Sequence, residues 1–300
     1  MISLDRVLES TFGMNIRAGS QLDMAIRKFS QNRLAMFGLI GSLVYIFVSL
    51  VGPFFMPYDP TSTGVGPNLA PPSAEHWFGT DHNGRDIFSR VIEGARISLF
   101  VGFSVVAVAC VVGITAGLIS GRYGGFIDGI IMRAIEVIYV FPSILLALIV
   151  VAILGQGLDR VLLALGLAYA IEMARIARGA ALSVREEEYI LAAESYGEHE
   201  RFIMFREMLP NMMSAVMVQA TLIYAFAILA EASLSYLGLS AQPPTPTWGI
   251  MVSQGQTYIG IAPWVTIAPG FAILFAVLAF TFLGIGLKDA LDPKTEVGTR

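Results

Sequence analysis

Residues 98–120 read SLFVGFSVVAVACVVGITAGLIS, twenty-three positions without a charge. At about 1.5 Å per residue a helix of this length covers about 34 Å. The ~30 Å hydrocarbon core of a bilayer admits a single segment only as a helix, which satisfies its own backbone polar groups. Five further stretches qualify: 34–56, 134–154, 158–180, 212–239 and 264–287. The expected fold is an all-α membrane protein with six transmembrane helices. Only 14% of the 300 residues are charged, against about 25% in ordinary soluble domains. The single cysteine, Cys110, lies inside the apolar run above and is expected to be a packing residue.

The charges orient the spans. With the N-terminus in the cytoplasm, fourteen Lys/Arg fall on the cytoplasmic side, in residues 1–33, at Arg122, at 175–206 and in 288–300. Only Arg85, Arg90, Arg96 and Arg160 fall outside, and Arg133 sits near a boundary. The positive-inside rule then places both termini in the cytoplasm. The polar start lacks a short apolar segment with a small-residue cleavage site, so a cleaved signal peptide is not expected. The net charge of −4 is accounted for by residues 185–211 alone, and nucleic-acid binding has no electrostatic support.

Two outer segments have a character of their own. Residues 57–97 begin with turn prolines and end in DIFSRVIEGARISLF, whose apolar residues recur at helical spacing; an amphipathic interfacial helix ahead of the second span is expected. Within it, DHNGRD at 81–86 has the start of a calcium loop, but Ile92 stands where the twelfth-position glutamate belongs, and a turn with Asp86 capping the helix is the better expectation. Residues 240–263 carry no charge but four prolines and three glycines, the composition of a constrained interfacial loop.

A transport engine would leave a trace. No G-x-x-x-x-G-K-[ST] occurs, and none of Lys28, Lys288 and Lys294 follows a glycine, so this chain has no P-loop ATPase. A proton relay needs deep ionisable residues. Arg133, Glu136, Glu172 and Arg175 are expected near the cytoplasmic ends of their spans, snorkelling or pairing at helix ends. Glu231, about twenty residues into the fifth span beside Ser233 and Ser235, either lines a path or bonds a neighbouring helix.

The block REEEYILAAESYGEHERFIMFREMLPN, 185–211, sets seven glutamates against three arginines between two spans. Its pattern predicts one helix ending at Gly197 and a second over 198–209, with Pro210 opening the next span. Phe202, Ile203 and Phe205 on the second helix form an apolar side suited to a groove on a partner.

LAAESYG, nine residues, then EMLP resembles the EAA loop of ABC importer permeases, with Ala192, Ala193, Gly197, Leu209 and Pro210 in register. Leu191 stands where that pattern has Glu, and Glu207 where it has Ile. FGTDHNGRDIFSRVIEGARISLFVG (78–102), FPSILLALIVVAILGQGL (141–158), LAEASLSYLGL and PTWGIMV are similar to the C-type permease of dipeptide, oligopeptide and nickel importers. The resemblance runs from about residue 25 to 292. It implies type I importer architecture: tail 1–33, first span 34–56, outer loop 57–97, a five-helix core 98–287 holding the coupling loop 181–211, and tail 288–300. It further implies a lipid-embedded inner-membrane subunit paired with a homologous permease, two cytoplasmic ATPases that bind ATP and magnesium, and an extracytoplasmic solute-binding protein. No cofactor is expected in this chain itself. Ala192, Ala193, Gly197, Phe202, Ile203, Phe205, Leu209 and Pro210 would couple to the ATPases, and Glu231, Ser233 and Ser235 would border the path. An ion-gradient-driven secondary transporter and a membrane scaffold are the rival readings, and nickel, opines or oligosaccharides are rival cargoes to peptides.

Overall fold

A computed structural model describes residues 17–291. Arg6, Lys294 and Arg300 of the basic tails lie outside the described residues. The architecture is all helical: α1 Arg17–Gln31, α2 Arg33–Val51, α3 Ile87–Tyr123, α4 Gly125–Tyr139, α5 Ser143–Leu154, α6 Leu158–Arg185, α7 Glu188–Ser195, α8 Glu200–Phe202, α9 Leu209–Tyr236, α10 Trp248–Gln256 and α11 Trp264–Leu291. Arg33–Phe55, Ile87–Tyr123, Glu200–Tyr236 and Trp264–Leu291 are long and apolar enough to cross a membrane, and α4 with α5 makes a fifth if that bent pair is one span.

Glycine decides the closest packing. α3 packs most extensively on α6. A Cβ at Gly113, Gly117 or Gly121 would lie 2.5–2.6 Å from atoms of Ala170, Met173, Ala174 and Ala181. Glycines at four-residue spacing let two backbones approach where lipid offers no hydrophobic force to press them together. At α2, a Cβ on Gly38 would sit 2.3 Å from the Leu283 amide of α11. Three buried clusters follow: one among α3, α5, α6 and α9, one at the outer ends of α2, α3, α9, α10 and α11, and one around Ile190, Ile203 and Met208.

Several expectations change. No separate interfacial helix precedes the second span: α3 is a single helix of 37 residues, about 55 Å long. Its start is as expected, with Asp86 accepting from the Ser89 amide at 2.8 Å. The other Asp86 oxygen meets His76 Nδ1 at 3.0 Å, and Asp81 Oδ1 accepts from the Asn83 and Arg85 amides at 2.8 and 3.0 Å, so the DHNGRD turn is held by its own carboxylates. The uncharged segment 240–263 is not all loop, since it contains α10, capped by Thr247 and buried against α3 and α9. Trp248 is buried, donating to the Val91 carbonyl at 2.9 Å, and is no interfacial anchor. Gly249 permits this, because a Cβ there would lie 2.1 Å from the Ala232 oxygen. Residues 1–33 are not simply a polar tail, as α1 and the Asn32 cap of α2 fall inside them.

The stretch expected as the third span is two helices. α4 and α5 meet at 87° across Val140, Phe141 and Pro142. Proline has no amide hydrogen to continue the ladder, and it pushes the preceding residue out of helical backbone. The helix expected as the fourth span, α6, is not among the helices apolar enough to cross, and it extends to Arg185, which moves Glu172 from a helix end to the middle of α6.

Candidate functional site

The charged block folds into one anchored unit. α7 ends in a Schellman motif: Gly197 has φ +78°, its amide donates to the Glu194 carbonyl, and the Glu198 amide donates to the Ala193 carbonyl at 3.1 Å. The expected second helix is not separate. α8 runs through a π-helical turn, Ile203–Met208, directly into α9, with the Leu209 amide bonded to the Met204 carbonyl. A wide turn of this kind gives room before Pro210, whose ring would otherwise crowd the preceding carbonyl row.

Burial divides the apolar residues of this unit. Ile190, Ile203, Met204 and Met208 point inward onto Leu118 of α3 and Ala177 and Ala181 of α6. The expectation that Ile203 docks a partner is therefore corrected: it is fully buried, whereas Phe205 is 62% exposed. Leu191, Tyr196 and Phe202 are also exposed, as are Ala192 and Gly197, while Ala193 and Leu209 are half-buried. The surface thus consists of Leu191, Tyr196, Phe202 and Phe205, and Ile203 anchors it from beneath.

A charge clamp fixes the unit to the membrane helices. Arg122, at the end of α3 and nearly buried, grips Glu200 with Nε and Nη2 at 2.8 Å each, and its Nη1 holds Glu194. The fork is bidentate, the geometry that makes arginine specific for a carboxylate. Arg178 of α6 likewise takes both oxygens of Asp128 on α4 at 2.6 Å, and Ser120 joins that carboxylate from α3. Glu194 and Glu200 therefore hold the unit in place. Arg122 was not among the expected site residues. Its trace in the sequence is a lone cation closing a long uncharged run just before Gly124 and Gly125.

Comparison with known families places this geometry. Residues 113–297 match the family described as binding-protein-dependent transport system inner membrane component. The chain belongs to that family. Residues 20–72 also match the N-terminal transmembrane domain of oligopeptide transport permease C. A dipeptide transport system permease protein DppC of Alkalihalophilus pseudofirmus is 45% identical over 270 residues, covering 90% of this chain and 89% of that one. A glutathione transport system permease protein GsiD of Pectobacterium atrosepticum is 42% identical over 89% of both chains. An oligopeptide transport system permease protein OppC of Bacillus subtilis is 39% identical over 90% of this chain and 88% of that one. Among solved structures, the MetNI methionine ABC transporter in inward-facing conformations superposes with a TM-score of 0.55 at 19% identity, covering 68% of this chain and 96% of that one. At that identity the likeness shows a shared fold.

The serine and glutamate residues expected along a path sit differently in this permease. Glu231 is fully buried on α9 and accepts from Ser240 Oγ at 2.9 Å, so it closes the loop after its own helix and does not line an opening. Ser235, also buried, bonds Thr247 at the start of α10. Ser233 alone of the three borders open space, although its hydroxyl is returned to the Leu229 carbonyl at 2.8 Å. The open cavity lies elsewhere, at the break between α4 and α5, where Glu136, Tyr139, Glu172, Arg175 and Gln219 surround about 670 Å³.

Proposed function

We propose that this permease is one of two homologous membrane subunits of an ABC importer for dipeptides or oligopeptides. It crosses the membrane six times, with α4–α5 as one broken span, α6 as another, and both termini in the cytoplasm. Two ATPases bind ATP and magnesium and dock on Leu191, Tyr196, Phe202 and Phe205, with Ala192, Ala193 and Gly197 setting the shape of the contact. An extracytoplasmic binding protein delivers the peptide to the outer face. The names of the relatives support the cargo, and the −4 net charge and lack of a P-loop fit a subunit that draws work from another chain.

The observation that carries the coupling assignment is the contrast between Ile203 and Phe205. One unit buries its apolar interior, is clamped by a buried arginine, and still exposes five large apolar side chains, Tyr189 among them. A contiguous apolar surface on an anchored, otherwise charged element marks a protein contact. ATP-driven closure of the ATPases would then move a rigid lever that reaches α3, α6 and α9 together.

A photoreactive p-benzoylphenylalanine placed at Tyr196 or Phe205 is expected to capture an ATPase subunit in the assembled complex. The same group at Ile203 should not. Capture from Ile203 but not from Phe205 would sink the assignment.

A further inference from the structure

The cavity at the helix break holds charges that the fold leaves unneutralised. Glu172 and Arg175 lie on α6, Glu136 and Tyr139 on the last turn of α4. Leu158 and Arg185 are fourteen and thirteen residues from Glu172, so at about 1.5 Å per residue this carboxylate lies about 20 Å from either end of α6. At the centre of a span an ionised group costs about 2.5–3.5 kcal/mol in lipid, and such groups face a water-filled cavity or a partner. Among the described residues Glu136 makes no ion pair. Arg175 has no acidic partner there either, and rests on the Tyr139 ring at 4.1 Å from its centroid. Glu172 accepts only from Ser143 Oγ, at 3.0 Å, where α5 begins after the break. Arg178, one turn along, takes Asp128 through Nε and Nη2 and lines the same cavity, where Glu136 also acts on it electrostatically.

A site with carboxylates on both α4 and α6 and with Arg175 outside any ion pair, of a volume within the ~300–1,000 Å³ usual for small ligands, matches a ligand that carries both charges. We infer that this cavity is a transit site for a zwitterionic peptide, Glu136 and Glu172 receiving its ammonium group and Arg175 its carboxylate. This rests on the peptide-import reading above. The α4–α5 break positions the site: were the span one straight helix, no 87° bend would open a space beside α6. The site reads only the two termini, so side chains of any kind pass, and recognition of sequence is left to the binding protein.

The full complex without binding protein, in lipid nanodiscs, is titrated with L-alanyl-L-phenylalanine and with its N-acetyl and C-amide forms. The free dipeptide is expected to bind about tenfold more tightly than either capped form, the usual worth of one charge-assisted contact. Glu172→Gln should erase the discrimination against the acetylated peptide, and Arg175→Gln that against the amide. Equal affinity of the three ligands, no binding by any of them, or discrimination that survives both substitutions would overturn the site. Uptake of the same dipeptide from its loaded binding protein is measured in parallel. Absent uptake by the wild type would defeat the import reading, whereas normal uptake with equal affinities would defeat the transit site alone.

Discussion

Replacing Arg122 by alanine is expected to cut ATP-driven peptide uptake at least tenfold while the complex still assembles. Arg122 is 6% exposed, but its partners Glu194 and Glu200 are 38% and 50% exposed and can turn to water once released. The loss is therefore about 1–3 kcal/mol, below the 3–5 kcal/mol of a fully buried pair. That is too little to unfold a bundle whose helices interlock through Gly113, Gly117 and Gly121. It is enough to let the α7–α8 unit swing on its apolar anchor, so that motion of an ATPase is spent in the hinge. Arg122→Lys keeps the charge but not the two-pronged grip, and should fall between the two. Peptide-stimulated ATP hydrolysis read beside uptake separates the outcomes: hydrolysis without matching uptake is the expected signature. Uptake within twofold of the wild type would mean the clamp is incidental.

Gly117→Leu should strongly destabilise the fold. Even its Cβ would lie 2.5 Å from the Ala174 oxygen and 2.6 Å from the Ala177 Cβ. The first is backbone in the interior of α6 and cannot turn aside, so α3 and α6 must separate, and the contacts of Gly113 and Gly121 loosen with them. Overpacking costs about 1–3 kcal/mol where neighbours can adjust. With a helix backbone in the way the cost is on the order of 5 kcal/mol, about 10 °C or more in Tm at ~2 °C per kcal/mol for a chain of this size. Gly129→Leu on α4 is the control, because a Cβ there meets nothing within 4 Å and the melting temperature should stay within about 2 °C. Equal melting temperatures for the two variants would show that the α3–α6 contact does not set stability.

What the sequence made legible follows from what each signal reports. Apolar runs report lipid, and α2, α3, α9 and α11 lie where the runs predict. The same signal cannot tell a straight span from a broken one: Phe141-Pro142 sits in an unbroken apolar stretch, and the 87° bend shows only in space. Positive φ at Gly197 was readable because helix-ending glycine is a local matter. Ile203 was misplaced because helical spacing identifies an apolar side without saying whether another helix already covers it. The covering residues, Leu118 and Ala181, come from spans 85 and 22 positions away. Arg122 was missed for the same reason, its partners being 72 and 78 residues distant. Glu231 was recognised as unusual, yet its role in closing the loop to Ser240 depends on how the chain turns after α9.

The central claim is that this permease moves peptide only when a separate ATPase drives it through the 188–208 unit. Proteoliposomes holding the permease pair with its ATPases, supplied with peptide-loaded binding protein outside and ATP inside, are predicted to accumulate labelled dipeptide against its gradient. Vesicles holding the permease pair alone are predicted to accumulate none under an imposed proton or sodium gradient. Accumulation in the second set, driven by the ion gradient without any ATPase, would contradict the account.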